Sequence, residues 1–117
     1  MSQHITLGQR GEHLAAKYLE QHGYRLLERN WRCQAGEIDI VAELDGLLVI
    51  VEVKTRRTTD CGHPLEALTP TKIARLYRLA VLWSVNHEWR GAFRIDALAV
   101  VVDTDTHPQF DHLIGLQ

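Results

Sequence analysis

The chain has 117 residues, a length that allows one domain with a real core and excludes two. Its hydrophobic fraction of 45%, charged fraction of 24% and net charge of −2 are those of an ordinary globular domain, without the overall basic field typical of nucleic-acid-binding domains. Its two cysteines are too few for a disulfide scaffold, and no apolar run approaches the ~20 residues of a membrane-spanning helix, so we expect one cytoplasmic domain over residues 1–117 with no membrane contact.

The first predicted element is an amphipathic helix from about Leu7 to Gln21. Its apolar residues recur at helical spacing, Thr6 is a suitable N-cap, and Gly23 follows its end. Glu12 lies at the border of the apolar stripe rather than on the far polar face. From position alone, the simpler interpretation of Glu12 is a solvated glutamate, which is favourable near a helix N-terminus, and a functional glutamate is the alternative.

A hairpin over residues 36–54 organises the rest of the chain. A first strand over residues 24–32 and a loop ending at Gly36 precede it. Asp45-Gly46 separates two apolar-rich runs, and both residues tolerate the positive φ that a two-residue type I′ turn requires. The sequence therefore predicts two antiparallel strands joined at Asp45-Gly46.

Alternation along these two strands separates an apolar face from a charged face. The apolar face, which we expect to be buried, carries Ile38, Ile40, Ala42, Val49, Val51 and Val53. On the other face, pairing outward from the turn places Asp39 opposite Glu52 and Glu37 opposite Lys54. Directly opposed carboxylates destabilise a sheet, and a divalent cation such as Mg²⁺ held between them would remove the conflict. Lys54 projects from the same face and is within reach of that site.

The second half of the chain predicts a long loop, a helix and one or two strands. Residues 55–69 form a polar connection that is able to cover a substrate. Thr69 and Pro70 predict the start of a helix that ends near Asn86. Residues 92–102 read as a strand buried on both faces, and residues 110–116 as a short edge strand. The order α-β-β-β-α-β-(β) indicates an α/β fold.

Basic residues cluster locally although the net charge is slightly negative. One cluster follows the hairpin and another lies on the second predicted helix; together they comprise Lys54, Arg56, Arg57, Lys72, Arg75 and Arg78. A solvated surface and a phosphate-binding surface are both compatible with this pattern, because phosphate binding depends on local rather than net charge.

The sequence resembles the PD-(D/E)xK nuclease superfamily, and within it the YraN family of uncharacterised bacterial endonuclease-like proteins, which are related to archaeal Holliday junction resolvases. The resemblance spans most of the chain and rests on short motifs. These are Gly11-Glu12, Gly23-Tyr24, Arg29-Asn30, Gly36-Glu37-Ile38-Asp39, Val51-Glu52-Val53-Lys54-Thr55-Arg56, Lys72, and Arg94 with Asp96.

The resemblance implies a restriction-endonuclease-like fold with a central mixed sheet flanked by helices, and cleavage of DNA with Mg²⁺ or Mn²⁺. Asp39 and Glu52 would be metal ligands, with the backbone carbonyl of Val53 as a further one. Lys54 would orient and help to deprotonate the attacking water or stabilise charge on the phosphate. Glu12 would complete the catalytic site from the first helix, as a possible further metal ligand.

The strand pairing and the resemblance together indicate accessory residues and partners. Because Glu37 lies opposite Lys54 in the predicted hairpin, it is expected to pair with Lys54 and orient it rather than to bind the metal. The residues expected to contact nucleic acid are Arg56, Arg57, Lys72 and Arg75. The expected activity is a metal-dependent endonuclease acting on DNA, including branched, Holliday-junction-like DNA. The alternative is a non-catalytic module with the same fold that binds nucleic acid or protein. A homodimer is expected because the related resolvases act as symmetric dimers.

Overall fold

The computed structural model describes residues 4–58, 62–103 and 107–117. The helices are α1 (Leu7–Gln21) and α2 (Pro70–Asn86), and the strands are β1 (Arg25–Cys33), β2 (Gly36–Leu44), β3 (Leu47–Arg56), β4 (Phe93–Val101) and β5 (Gln109–Leu113), with a short 3₁₀ helix at Pro64–Ala67. This is the predicted element order, and the α/β fold class is confirmed.

The five strands form one mixed sheet in the order β1-β2-β3-β4-β5. β3 and β4 are parallel, and the other neighbours are antiparallel. The connection from β3 to β4 contains α2, as a parallel crossover requires. α1 packs on one face of the sheet and α2 packs on the other, each over its own apolar cluster. The predicted mixed sheet flanked by helices is confirmed.

Helix α1 begins and ends at the predicted residues. The Thr6 hydroxyl accepts a hydrogen bond from the N–H of Gln9, and the Gln9 side chain accepts one from the N–H of Thr6, which completes a capping box. After the helix, Gly23 adopts a φ of 88° and turns the chain into β1.

Helix α1 lies against the end of β3 because residue 11 is glycine. A Cβ at position 11 would lie 2.7 Å from the Cβ of Thr55, which is shorter than two carbon atoms can approach. Gly11 itself is buried. The close contact sets the distance of the first turns of α1, including Glu12, from the carboxyl end of β3.

We expect Gly11→Ala to destabilise the protein by about 1–3 kcal/mol, since the added methyl group must push α1 away from Thr55. Gly8→Ala is the matched control, because it lies on the same helix and has open space around its Cα. Helix propensity predicts that Gly8→Ala will stabilise the protein by roughly 0.5–1 kcal/mol. Urea unfolding of both variants measures the difference, and a stabilising Gly11→Ala would contradict the close packing.

The predicted hairpin is present with the predicted turn. Asp45 and Gly46 adopt φ values of 49° and 85°, both in the left-handed region that a type I′ turn requires. The register runs from Leu44 opposite Leu47 to Ile40 opposite Val51, as expected. The buried apolar face is confirmed for five of the six residues expected on it, which are Ile40, Ala42, Val49, Val51 and Val53.

The sixth residue, Ile38, is buried as expected, but the face predicted for it is wrong. Ile38 packs in the cluster on the α2 face of the sheet, whereas Ile40 packs on the α1 face. The change occurs at Asp39, which lies beyond the last recorded β2–β3 pair. On β1, Asn30 lies between two residues paired with Ile40 and Ile38, and its φ is 54°. A left-handed residue interrupts the regular alternation of side chains, so both strands change face at the level of Asn30 and Asp39.

The second half of the chain follows the predicted elements with two corrections. Thr69 caps α2 by accepting a hydrogen bond from the N–H of Lys72, and Pro70 is the first helical residue, as predicted. The predicted loop over residues 55–69 is shorter, because β3 continues to Arg56 and a 3₁₀ helix occupies Pro64–Ala67. Its residues 59–61 lie outside the described part of the chain, so its expected role as a cover is not described.

Strand β4 is present where the sequence predicts it, and β5 is shorter than predicted at its carboxyl end. β4 is buried over almost its whole length, as the apolar run predicts. β5 ends at Leu113 instead of residue 116, because the chain turns at Gly115 (φ 75°) and the N–H of Leu116 donates to the carbonyl of Ile95. Among the described residues, neither helix is long and apolar enough to span a membrane.

Candidate active site

The charged face of the β2–β3 hairpin and the first turns of α2 enclose a cavity of about 340 Å³. Most of the residues that the sequence indicates as functional line this one cavity. Its lining includes Glu37, Asp39, Glu52, Val53, Lys54, Lys72 and Arg75. The hairpin supplies the carboxylates and Lys54, and α2 supplies the other two cations from the opposite wall.

Asp39 and Glu52 are brought together as the pairing predicts. Burial, a hydrogen bond to the Glu52 carboxylate and the negative charge of Glu52 raise the pKa of Asp39 to about 8. The N–H of Val53 donates to Oδ2 of Asp39 at 2.8 Å, which opposes this rise. The pair is therefore held in place by the backbone of β3 although its charges repel.

Lys54 does not pair with Glu37, contrary to expectation. Nζ of Lys54 lies 3.7 Å from Oε2 of Glu52, and both side chains are largely buried. Glu37 instead lies opposite Arg32 on β1, with 3.6 Å between Nε of Arg32 and Oε1 of Glu37. The reason is that the recorded β2–β3 ladder ends at Ile40, so Glu37 follows its β1 partner rather than β3.

Glu12 lies in an adjacent hollow of about 390 Å³, which is also lined by His13, Arg29 and Asn30. Burial and the negative charges of Asp39 and Glu37 raise the pKa of Glu12, while Arg29 opposes the rise. Glu12 is therefore part of the electrostatic environment of Asp39, although the two residues line different hollows.

Asn30 connects the two hollows. With its amide nitrogen facing the carboxylates, it donates to Oε1 of Glu12 at 2.7 Å and to Oε1 of Glu37 at 3.1 Å. Arg29-Asn30 is one of the motifs of the family resemblance, but no role for Asn30 was predicted from it. A second local signal is an asparagine inside a strand, a residue type that strands disfavour and that tolerates a positive φ.

The basic residues divide into two groups. Lys72 and Arg75 line the cavity beside the carboxylates. Arg56 and Arg57 are exposed at the end of β3 and line neither hollow. A phosphate in the cavity would therefore meet Lys54, Lys72 and Arg75 first.

The residues present fit Mg²⁺ or Mn²⁺ better than a metal held by many protein side chains. Among the residues that the structure describes, no group of three or more His, Cys, Asp or Glu side chains is close enough to hold an ion. Mg²⁺ is usually held by one or two carboxylates, with water and substrate phosphate completing its coordination. Asp39 and Glu52 supply such a pair, with a mutual repulsion that a cation would relieve.

A second charged cluster lies within the α1 face of the sheet, away from the cavity. Asp96 is fully buried and accepts hydrogen bonds from Nε and a terminal nitrogen of Arg94 (2.8 and 2.9 Å), from Nε2 of His112 (2.8 Å) and from the N–H of Gly115 (3.1 Å). Arg94 also donates to the Tyr24 hydroxyl at 3.0 Å. Burial alone would raise the pKa of Asp96, but these hydrogen bonds outweigh it and hold the pKa below its usual value.

The chain is similar to known sequences over nearly its whole length. A UPF0102 protein of Leifsonia xyli subsp. xyli is 50% identical over 117 residues, covering 99% of this chain and 99% of the relative. A UPF0102 protein of an Arthrobacter species is 54% identical over 112 residues, covering 94% of both chains.

Two solved structures are more distant. A Silicibacter pomeroyi protein of unknown function is 16% identical, with a TM-score of 0.46 over 98% of this chain and 76% of that one. Pyrococcus furiosus SfsA in complex with Ca²⁺ is 15% identical, with a TM-score of 0.38 over 95% of this chain and 64% of that one. The family profile itself matches residues 11–100, which include the whole hairpin and α2. The chain therefore belongs to the uncharacterised protein family UPF0102, the YraN family whose motifs it carries.

Proposed function

We propose that this protein is a metal-dependent endonuclease that hydrolyses phosphodiester bonds in DNA, including branched DNA. The observation that carries the proposal is the Asp39–Glu52 pair, in which two carboxyl groups lie together on the wall of one cavity beside Lys54. Burial and the mutual repulsion of the two carboxylates cost stability, and the Val53 N–H and Lys54 offset only part of that cost. A binding module would gain stability by replacing either carboxylate.

The cations around the pair support a polyanionic substrate. Lys54 comes from the hairpin, and Lys72 and Arg75 come from α2. The three positive charges face one cavity although the net charge of the chain is −2. A DNA phosphate that enters the cavity would therefore be held by local charge, and the affinity should fall as salt rises.

In this proposal each side chain has a distinct role, and Glu12 would complete the catalytic site from α1. Asp39 and Glu52 would hold Mg²⁺ or Mn²⁺, with the Val53 carbonyl as a further ligand; when bound, the ion supplies Lewis-acid stabilisation of the charge on the phosphoryl oxygens. Lys54 would donate a hydrogen bond to the attacking water or to a phosphoryl oxygen, where charge develops. Lys72 and Arg75 would fix the neighbouring phosphates, with Arg56 and Arg57 contacting DNA farther along. A homodimer stays part of the proposal.

The proposal is tested with Lys54→Met, which keeps the aliphatic stem of the side chain and removes its charge. We expect the wild type with Mn²⁺ to cleave at least one of branched, single-stranded or duplex DNA, and Lys54→Met to be slower by about 10²–10³-fold. Mn²⁺ binding should be retained, because both carboxylates remain. Lys17→Met is the matched control, since Lys17 is exposed on α1 outside both hollows.

Two outcomes would count against cleavage. A wild type that cleaves none of the three DNA forms with Mn²⁺ or Mg²⁺ would overturn the endonuclease proposal. DNA binding without cleavage would favour the alternative, a non-catalytic nucleic-acid-binding module. Loss of DNA binding on replacing Lys72 and Arg75 is expected under both, so it does not separate them.

A further inference from the structure

Asn30 is oriented by chemistry between two carboxylates. A carboxylate only accepts hydrogen bonds, so the side-chain atom of Asn30 that faces Glu12 and Glu37 must be the amide nitrogen. In that orientation its two N–H groups reach Oε1 of Glu12 at 2.7 Å and Oε1 of Glu37 at 3.1 Å. One neutral side chain thus ties helix α1 to strand β2.

The backbone of Asn30 has a left-handed conformation. Its φ of 54° lies in a region that asparagine adopts more readily than most L-residues. The same residue lies level with Asp39 on the neighbouring strand, at the point where both strands change face. The left-handed conformation therefore directs the Asn30 amide toward Glu12 at the level of Asp39.

The neighbouring charges explain why a connection is needed. Glu12 is repelled by both Asp39 and Glu37, with Arg29 as the opposing charge. Without a donor between them, Glu12 and Glu37 would separate and Glu12 would rotate toward solvent. A neutral amide holds the two carboxylates without adding a charge to the site.

We propose that Asn30 is a positioning residue of the cleavage site, whose amide holds the Glu12 carboxylate beside Asp39 by bridging Glu12 to Glu37. This inference rests on the proposed endonuclease function. Asn30 does not contact the scissile phosphate in this proposal, and it acts through Glu12.

The test uses Asn30→Gly, because glycine keeps the left-handed backbone and removes only the amide. We expect kcat for DNA cleavage to fall by about 10–100-fold, which is the usual effect of losing a residue that orients a metal-binding side chain. KM for DNA should stay within about twofold. Lys72 and Arg75 are unchanged, so substrate binding should be unaffected. A kcat equal to that of the wild type would overturn the proposal.

A second readout needs neither metal nor DNA. Urea unfolding of Asn30→Gly, Glu12→Ala and the double variant forms a double-mutant cycle, because alanine has no acceptor for the Asn30 amide. We expect the unfolding constant of the double variant to differ by at least about threefold from the product of the single effects. The same cycle with Glu43→Ala should be additive, because Glu43 pairs with Arg25 at the other end of β1 and β2.

The two readouts separate the two proposals. An additive Asn30–Glu12 cycle would overturn the positioning role whether or not the protein cleaves DNA. Absence of cleavage by the wild type would overturn the proposed function, and the cycle would still decide whether Asn30 holds Glu12.

Discussion

Asp39→Asn is expected to abolish Mn²⁺ binding and DNA cleavage and, in the same protein without metal, to raise the midpoint of thermal unfolding. The substitution removes a metal ligand, so the affinity for Mn²⁺ should fall by more than about 100-fold in calorimetric titration. It also removes the repulsion between Asp39 and Glu52 while keeping an acceptor for the Val53 N–H. A gain of about 1 kcal/mol would raise the midpoint by roughly 4–8 °C in EDTA.

The stability gain of Asp39→Asn should increase as the pH rises. Because the pKa of Asp39 is raised to about 8, the folded protein holds a proton at this site that the unfolded chain has released above about pH 4. The folded state therefore binds more protons between these values, and the contribution of Asp39 to stability falls as pH rises from ~4 to ~8. This contribution disappears in Asp39→Asn, so the free energy of unfolding of the variant should exceed that of the wild type by more at pH 8 than at pH 5.

Asp45→Asn is the matched control, because Asp45 is exposed in the hairpin turn and asparagine tolerates its positive φ. It should change neither Mn²⁺ binding nor the pH dependence. If Asp39→Asn were less stable than the wild type in EDTA, Asp39 would be a structural residue and the argument for a functional carboxylate pair would fail. If the wild type bound no Mn²⁺, with or without DNA, the metal-dependent proposal would fail.

Asp96→Asn is expected to have the opposite effect and to destabilise the protein by about 3 kcal/mol or more. It would leave the guanidinium of Arg94 and the ring of His112 without their carboxylate inside the sheet core, and removing one partner of a buried ion pair commonly costs about 3–5 kcal/mol. Urea unfolding measures the loss. Asp111→Asn is the control, because Asp111 is exposed on the neighbouring strand and pairs with His63 at the surface. It should change stability by less than about 1 kcal/mol.

The two aspartates also act on stability in opposite pH ranges. The pKa of Asp96 is held below its usual value, so its contribution is fully present above about pH 4 and is lost as pH falls further. Asp39 destabilises the metal-free protein increasingly as the pH rises above about 4, whereas Asp96 stabilises the protein at every pH above about 4. A loss of less than about 1 kcal/mol in Asp96→Asn at pH 7 would contradict the ion-pair network as a stabilising element.

The hairpin and its carboxylates were predictable because their signals are local. Asp45-Gly46 specifies a two-residue turn, and the positive φ values of both residues confirm it. The turn sets the pairing of β2 with β3 as far as Ile40. From that register alone, Asp39 and Glu52 follow as neighbours. Helix bounds were predictable for the same reason, since caps such as Thr6 and Thr69 act within three residues of themselves.

Other features depend on contacts between distant segments. Regular alternation of side chains along β2 predicts the wrong face for Ile38. The alternation is interrupted at Asp39 by the left-handed Asn30, which lies on the neighbouring strand β1. The Lys54–Glu52 pair replaced the expected Lys54–Glu37 pair for the same reason. Arg94 and Asp96 were named as a motif of the resemblance without a role, and the partner of Asp96, His112, lies on β5, which no local pattern connects to it.

The parallel pairing of β3 with β4 also has a consequence for the order in which the chain folds. The β2–β3 hairpin is closed by two residues and can form on the microsecond timescale, whereas β4 reaches β3 only after α2 has been made. Until then the other edge of β3, with its buried apolar residues Leu48, Val49, Ile50, Val51 and Val53, is an unpaired strand edge. During synthesis this edge is exposed from the moment the hairpin emerges until β4 follows. A chain interrupted before β4 would thus contain all four proposed catalytic side chains and be prone to aggregation rather than active.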